Sequence, residues 1–208
     1  MILGLQKITV PSVCSRCWQQ FSRIQGPVCP LCSRPGRKEI CADCQRWLAL
    51  GYSHFRHQAL FAYNSAMHDY FKRYKRYGDY ALRRVFNDLL RQETSKLKVP
   101  CIYIPSSASH LNQRGFDPVV GLFQEVFKLF PALIKMETTQ GQSEKNRQER
   151  LATPQFFQFN SHYQVLLEEP QLLLVDDIYT TGRTIFHAQD CLRQAGFRGQ
   201  FQSLSLAR

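Results

Sequence analysis

Leu172, Leu173, Leu174 and Val175 form an unbroken aliphatic run, the pattern of a strand buried on both faces in a parallel sheet. Beyond it, Ile185, Ala188, Gln189, Leu192 and Ala195 recur at helical spacing until Gly196 stops the run. Asp176 to Thr184 lie between the two patterns, so the stretch reads as strand, loop, helix. That order puts a loop and a helix start at the carboxyl edge of a sheet, where open α/β sheets bind ligands. Further strands are predicted over 58–63, where alternation is weak, over 99–104, near 133–136, and over 201–206. Asn64-Ser65 reads as a helix cap. It precedes a helix on which Met67, Tyr70, Phe71 and Tyr74 share one face, and Gly78 closes it. A second helix is predicted over 79–92 and another over 118–130. Phe156, Phe157 and Phe159 are expected to pack on the sheet.

Length and composition narrow the fold class. A chain of 208 residues with 44% hydrophobic content holds one sizeable α/β domain plus a small module. The boundaries are expected at 1–50 for a cysteine-rich module and 51–208 for the main domain. The apolar runs are too short to span a membrane. Met1 to Leu5 is too short and interrupted for a signal peptide. The expectation is a cytoplasmic protein, in which eight cysteines favour metal ligation over disulfides.

Three Cys-x-x-Cys pairs occur early: Cys14/Cys17, Cys29/Cys32 and Cys41/Cys44. Each is a tight turn that aims two thiolates at one metal, and two pairs complete a tetrahedral zinc site. Cys29-Pro30-Leu31-Cys32 with Gly36 beyond it has the form of a zinc-ribbon knuckle. Its short gap to Cys41/Cys44 makes Cys29, Cys32, Cys41 and Cys44 the preferred set. Cys14 and Cys17 then stand apart, unless they bind a second metal with another chain or replace one pair. A redox role is the weaker alternative, since no βαβ pattern surrounds them.

Charge is segregated. The net charge is +11, with 17 Lys/Arg against 6 Asp/Glu in 1–98 and 10 of each in 99–208. A basic half suggests a polyanionic partner, nucleic acid first, although a solvated basic surface would look the same. The basic helices fall at about 65–93. Lys72, Arg73, Lys75 and Arg76 interleave with aromatic residues and are the candidates for phosphate contacts. The aromatics themselves suit either base stacking or a core face; for Tyr70 and Phe71 the core is favoured.

The loop 176–184 carries the most specific chemistry. Backbone N–H groups at a helix start favour an anion. Gly182 permits close approach, and Thr180, Thr181 and Thr184 add hydroxyls. Asp176 and Asp177 are badly placed for a phosphate. They suit ribose hydroxyls, or Mg²⁺ with its preference for oxygen. The inferred ligand is a phosphorylated ribose.

This stretch resembles the phosphoribosyl-pyrophosphate (PRPP) loop of type I phosphoribosyltransferases, with Tyr179 where the pattern has an aliphatic residue. The resemblance implies a type I phosphoribosyltransferase-like parallel sheet with flanking helices, preceded by a zinc-ribbon-like module. It implies that Asp176 and Asp177 hold the ribose, that Thr180, Thr181, Gly182, Arg183 and Thr184 hold the 5′-phosphate, and that Mg²⁺ accompanies PRPP. Ser106 and Ser107, after the strand ending near Pro105, would meet pyrophosphate, or else form a plain turn. Arg147 and Arg150 would lie on a mobile loop closing over it, or else on a solvated helical turn. Arg114 suggests an anion contact, and Gly115 an unusual backbone angle. Purine-salvage relatives have an aspartate base where this chain has Thr180.

The whole order of segments is similar to the ComF competence-protein family. Arg114-Gly115-Phe116 is the most telling piece outside the loop, with Asp117 where that family usually has Asn. Many of its members carry one more Cys-x-x-Cys upstream, and the lack of that pair in this sequence would account for the separate Cys14/Cys17. The resemblance implies a role in natural transformation, on incoming single-stranded DNA, beside a DNA-translocating helicase. The alternative is a metabolic phosphoribosyltransferase in nucleotide salvage with an unidentified acceptor.

Overall fold

The computed structural model describes residues 12–52, 55–136 and 155–208. After two short helices, α1 (Ser15–Trp18) and α2 (Ala42–Ala49), the chain enters a parallel sheet. Its strands are β1 (Phe55–Phe61), β2 (Cys101–Tyr103), β3 (Leu129–Phe130), β6 (Gln171–Ile178) and β7 (Gln200–Ala207). Their order is β1-β7-β6-β2-β3, with every pairing parallel. β4 (Leu133–Lys135) and β5 (Phe157–Phe159) form a separate antiparallel pair.

The aliphatic run that marks β6 is central because both its faces are covered. Leu172 and Leu174 join one buried cluster, which includes Phe186 and Leu192 of the helix α7 (Arg183–Gln194), Phe156, and the cysteines 29, 32, 41 and 44. Leu173 and Val175 join another, with Tyr70, Phe71, Tyr74, Leu90 and Leu122. Those residues come from α3 (Ser65–Phe71) and the turn after it, α4 (Asn87–Thr94) and α6 (Pro118–Phe123). This is the α/β layout expected from the sequence, with the cysteine cluster ahead of it.

The helical boundaries differ in informative ways. The helix starting at Ser65 is α-helical only to Phe71, widens into a π turn over Lys72–Arg76, and ends where Gly78 takes φ +71°. The helix expected over 79–92 is broken into a 3-10 turn, Tyr80–Arg84, and α4. Phe86 leaves helical geometry at the break and is fully buried against Phe21, Phe61 and Tyr70. Tertiary packing overrides local propensity there. The helix expected over 118–130 stops at Phe123, because Leu129 and Phe130 extend the sheet beside β2. A helix α5 (Ala108–Arg114) and a 3-10 segment, Ser161–Glu168, carry no clear periodic signal. Among the described residues, no helix is long and apolar enough to cross a membrane.

Candidate functional site

β6 does not stop at Val175, as the aliphatic run suggested. It continues through both acids, with Asp176 in register with Ser205 and Ile178 with Ala207 of β7. Both carboxylates are therefore fixed by the sheet and only 8% and 9% exposed. The Asp177 amide donates to Asp176 Oδ1 at 2.8 Å. Side-chain alternation puts Asp177 on the face of Leu173 and Val175, toward the π turn. There Lys75 Nζ stands 2.5 Å from Asp177 Oδ2, with the two side chains 23% and 12% exposed. A second cation, Lys135 of β4, is close enough to feel both acids and Asp117. Burial lowers the Lys135 pKa, while those three carboxylates oppose the shift. Burial first, and repulsion from Asp177 second, push the Asp176 carboxyl up to about 7.

The loop after β6 turns tightly into α7. Gly182 has φ +85°, and a Cβ placed on it would lie 2.3 Å from the Tyr179 hydroxyl and 3.0 Å from the Phe186 ring. Tyr179 is buried, stacked on His57 at 4.0 Å between ring centroids. His57 is itself held between Ser203 and Ser205 at 3.0 Å each, and burial drops its pKa well below 6.5. Thr181 is buried, and its Oγ1 accepts from the Arg183 amide at 3.4 Å. Thr180 is exposed, while Arg183 and Thr184 are half-buried at the helix start. Residues 180–184 thus lie together at the sheet edge, where the sequence predicts a phosphate cradle. The loop is also gripped from the cysteine side: Trp47 Nε1 donates to the Thr181 carbonyl at 2.8 Å. The Trp47 ring meets Phe186 at 4.3 Å and has the Arg183 guanidinium 5.7 Å above it.

β2 lies beside β6, and the Ile104 amide still donates to Val175 at 2.9 Å, so the Pro105-Ser106-Ser107 loop leaves next to the acids. The Ser106 amide donates to Asp117 Oδ2 at 2.7 Å, and Ser107 Oγ pairs with Ser109 Oγ at 3.1 Å. The other Asp117 oxygen caps α6 through Val119 and Val120. Arg114, expected to contact an anion, donates from Nε to the Lys75 carbonyl at 3.0 Å and braces the π turn. Gly115 has the unusual angle its position suggested, φ +79°. Arg147 and Arg150 lie outside the described residues.

The four preferred cysteines converge. Their sulfurs lie within 4.8 Å of one another, and all four residues are at most 1% exposed. Cys29 to Cys44 is 3.8 Å and Cys32 to Cys41 is 3.6 Å, close to the edge of a tetrahedron with Zn–S bonds of about 2.3 Å. Contact with Cys44 holds the Cys32 thiol down to about 5, helped by Arg208, while the same contact and burial push Cys44 up. Four buried sulfurs at this spacing can hold a metal ion such as zinc, which would take them as thiolates. Cys14 and Cys17 are exposed and outside this cluster.

Of the four cations expected to meet a nucleic acid, Lys72, Arg73 and Arg76 are exposed, and Lys75 is turned inward to Asp177. Arg73 also pairs with Asp79 at 3.0 Å. Arg83, Arg84 and Arg91 gather around Glu125 at 3.9, 3.1 and 3.7 Å. Tyr70, Phe71 and Tyr74 are buried core residues, and Tyr77 remains 68% exposed beside Lys72. Sequence reasoning missed the roles of Lys75, Lys135, Asp117 and Trp47. Only the Trp47 position, next to a cysteine pair, carried any local signal.

No family model matches the chain. It is 38% identical over 197 residues to "Competence protein ComFC" of Streptococcus pneumoniae (strain ATCC BAA-255 / R6), covering 94% of this chain and 87% of that protein. It is 27% identical over 204 residues to "Competence protein ComFC" of Bacillus subtilis (strain 168), covering 94% of this chain and 84% of that one.

Proposed function

The chain belongs to the ComF competence-protein family, and from that premise we propose that it handles incoming single-stranded DNA in the cytoplasm while holding a ribose phosphate at the edge of its sheet. The ligand is PRPP or a close relative. The observation that carries this reading is the juxtaposition of two sheet-fixed carboxylates with a glycine-hinged, hydroxyl-lined helix start. The acids accept from ribose hydroxyls, and the amides of 180–184 receive the 5′-phosphate. The four-cysteine cluster holds structural zinc, which a module this small requires to fold. Asp177 Oδ2 is taken by Lys75, so the carboxylates do not fit a magnesium ion held directly by the protein. Mg²⁺ belongs instead to the pyrophosphate of an incoming PRPP. The natural neighbour of such a protein is a DNA-translocating helicase.

DNA binding falls to the exposed cations Lys72, Arg73 and Arg76, with Tyr77 beside them as a stacking surface. The test is fluorescence anisotropy with a labelled oligonucleotide across a salt series. Each lost phosphate contact removes about 0.7 from the slope of log K against log salt. A triple change of these residues to Glu should therefore weaken binding and flatten the slope by about 2. Binding indifferent to all three charges refutes the nucleic-acid reading.

A second reading, phosphoribosyl transfer, is favoured by the intact order of acids, threonines and glycine in 176–184. A nucleophile would displace pyrophosphate at the anomeric carbon, and the carboxylates would stabilise the cationic transition state. Thr180 supplies no base for a purine at neutral pH. Pyrophosphate release from PRPP with a panel of bases tests this reading, and absence of release with every base, despite PRPP binding, leaves the binding role alone.

A further inference from the structure

Four cations crowd the five-residue π turn Lys72–Arg76, and only Lys75 points into the protein. π turns recur at functional sites because the extra residue re-aims a side chain. Here the widened turn is secured twice. Arg114 Nε holds the Lys75 carbonyl at 3.0 Å, and the Phe71 ring lies 4.8 Å beneath the Lys75 ammonium. The ammonium ends 2.5 Å from Asp177 Oδ2. Lys135 brings a second positive charge to the same carboxylates from the separate strand pair.

We propose that Lys75 is the built-in counter-ion of the twin carboxylates, so that this site takes a ribose 5-phosphate without any divalent cation. The inference deepens the ribose-phosphate reading above and rests on it. Two carboxylates buried side by side need a counter-charge or a proton. Here the Lys75 ammonium meets Asp177 directly. Mg²⁺ requires oxygen ligands in near-octahedral array. One of the carboxylate oxygens it would use is bonded to an ammonium, and two positive charges repel it. An ion pair through Oδ2 leaves Asp177 Oδ1 as an acceptor, which is what a ribose hydroxyl needs. Lys75 thereby selects for the hydroxylated sugar and against a metal at the acids.

The test is isothermal titration of ribose 5-phosphate into the full chain, in Mg²⁺ and in EDTA. For the wild type, affinities in the two buffers should agree within about threefold, since no metal-bound contact is gained or lost. Lys75→Met keeps the length of the side chain and removes its charge. It should lose at least about tenfold in EDTA, because breaking a buried ion pair strands the carboxylate. Mg²⁺ should restore part of that loss by occupying the vacated oxygen. Lys75→Arg should retain metal independence, and Lys96→Met, an exposed charge elsewhere, should match the wild type. Wild-type binding that vanishes in EDTA overturns the proposal, and this arm stands even if Lys75→Met does not fold. So does a folded Lys75→Met that binds like wild type in both buffers. No binding of ribose 5-phosphate or PRPP by the wild type in either buffer overturns the ribose-phosphate reading itself, and the inference with it.

Discussion

Gly182→Ala isolates the geometry on which the loop 180–184 depends. The substitution has two separable costs. One is conformational: φ is +85°, and a left-handed angle costs an L residue about 1–2 kcal/mol. The other is steric: the new Cβ would meet the Tyr179 hydroxyl at 2.3 Å, its Cζ at 2.8 Å and Phe186 at 3.0 Å. Tyr179 cannot retreat easily, since it is buried and stacked on His57. Overpacking of this kind costs about 1–3 kcal/mol, so the total expected is roughly 2–5 kcal/mol. Gly78→Ala supplies the reference, because Gly78 has φ +71° with nothing within 4 Å of its would-be Cβ. It should cost only the backbone part. Urea unfolding followed by tryptophan fluorescence measures both, and Trp47 reports the loop directly through its bond to Thr181. Adding Tyr179→Phe to Gly182→Ala removes the shortest contact and should recover about 1 kcal/mol by a double-mutant cycle. Equal costs for the two glycines, or strict additivity with Tyr179→Phe, would refute the steric argument.

Asp117→Asn should leave the melting temperature within about 2 °C of wild type, since Asn caps a helix as well as Asp. It should raise affinity for inorganic pyrophosphate by roughly three- to tenfold, because a negative charge leaves the Ser106 loop; unchanged affinity would separate this loop from pyrophosphate. The Asp176 carboxyl sits up at about 7, against its ordinary 3.8. Between those values the folded chain holds a proton that the unfolded chain has released, so this group makes stability fall as pH rises from about 4 to about 7. Urea midpoints across that range should show the decline in the wild type and a flatter profile in Asp176→Asn; identical profiles would remove Asp176 from the account. Purified protein should carry one tightly bound metal by mass spectrometry, lost in Cys41→Ser and kept in Cys14→Ser, and retention in Cys41→Ser would contradict the ligand set.

Local chemistry wrote part of this structure plainly. The aliphatic run at 172–175, the helical spacing to Gly196 and the cysteine spacings each depend on neighbours in the chain, and they reappear as β6, α7 and the four-cysteine cluster. The helix expected over 79–92 failed because Phe86 answers to aromatic rings from Phe21 to Tyr70 rather than to its own periodicity. Lys75 looked like one more surface cation. Its pairing with Asp177 joins residues 102 positions apart and arises only once the π turn packs on β6. Lys135 was equally silent, because electrostatic neighbourhoods are properties of the folded sheet edge.

The indole of Trp47 spans the gap between the cysteine cluster and the loop 180–184, three residues after Cys44 in the chain and one hydrogen bond from Thr181. Thermodynamic reciprocity gives that bridge a meaning in both directions. Any ligand that binds more tightly when the loop is steadied from the cysteine side would tighten whatever metal the four cysteines hold, and removing that metal would weaken the ligand by the same factor.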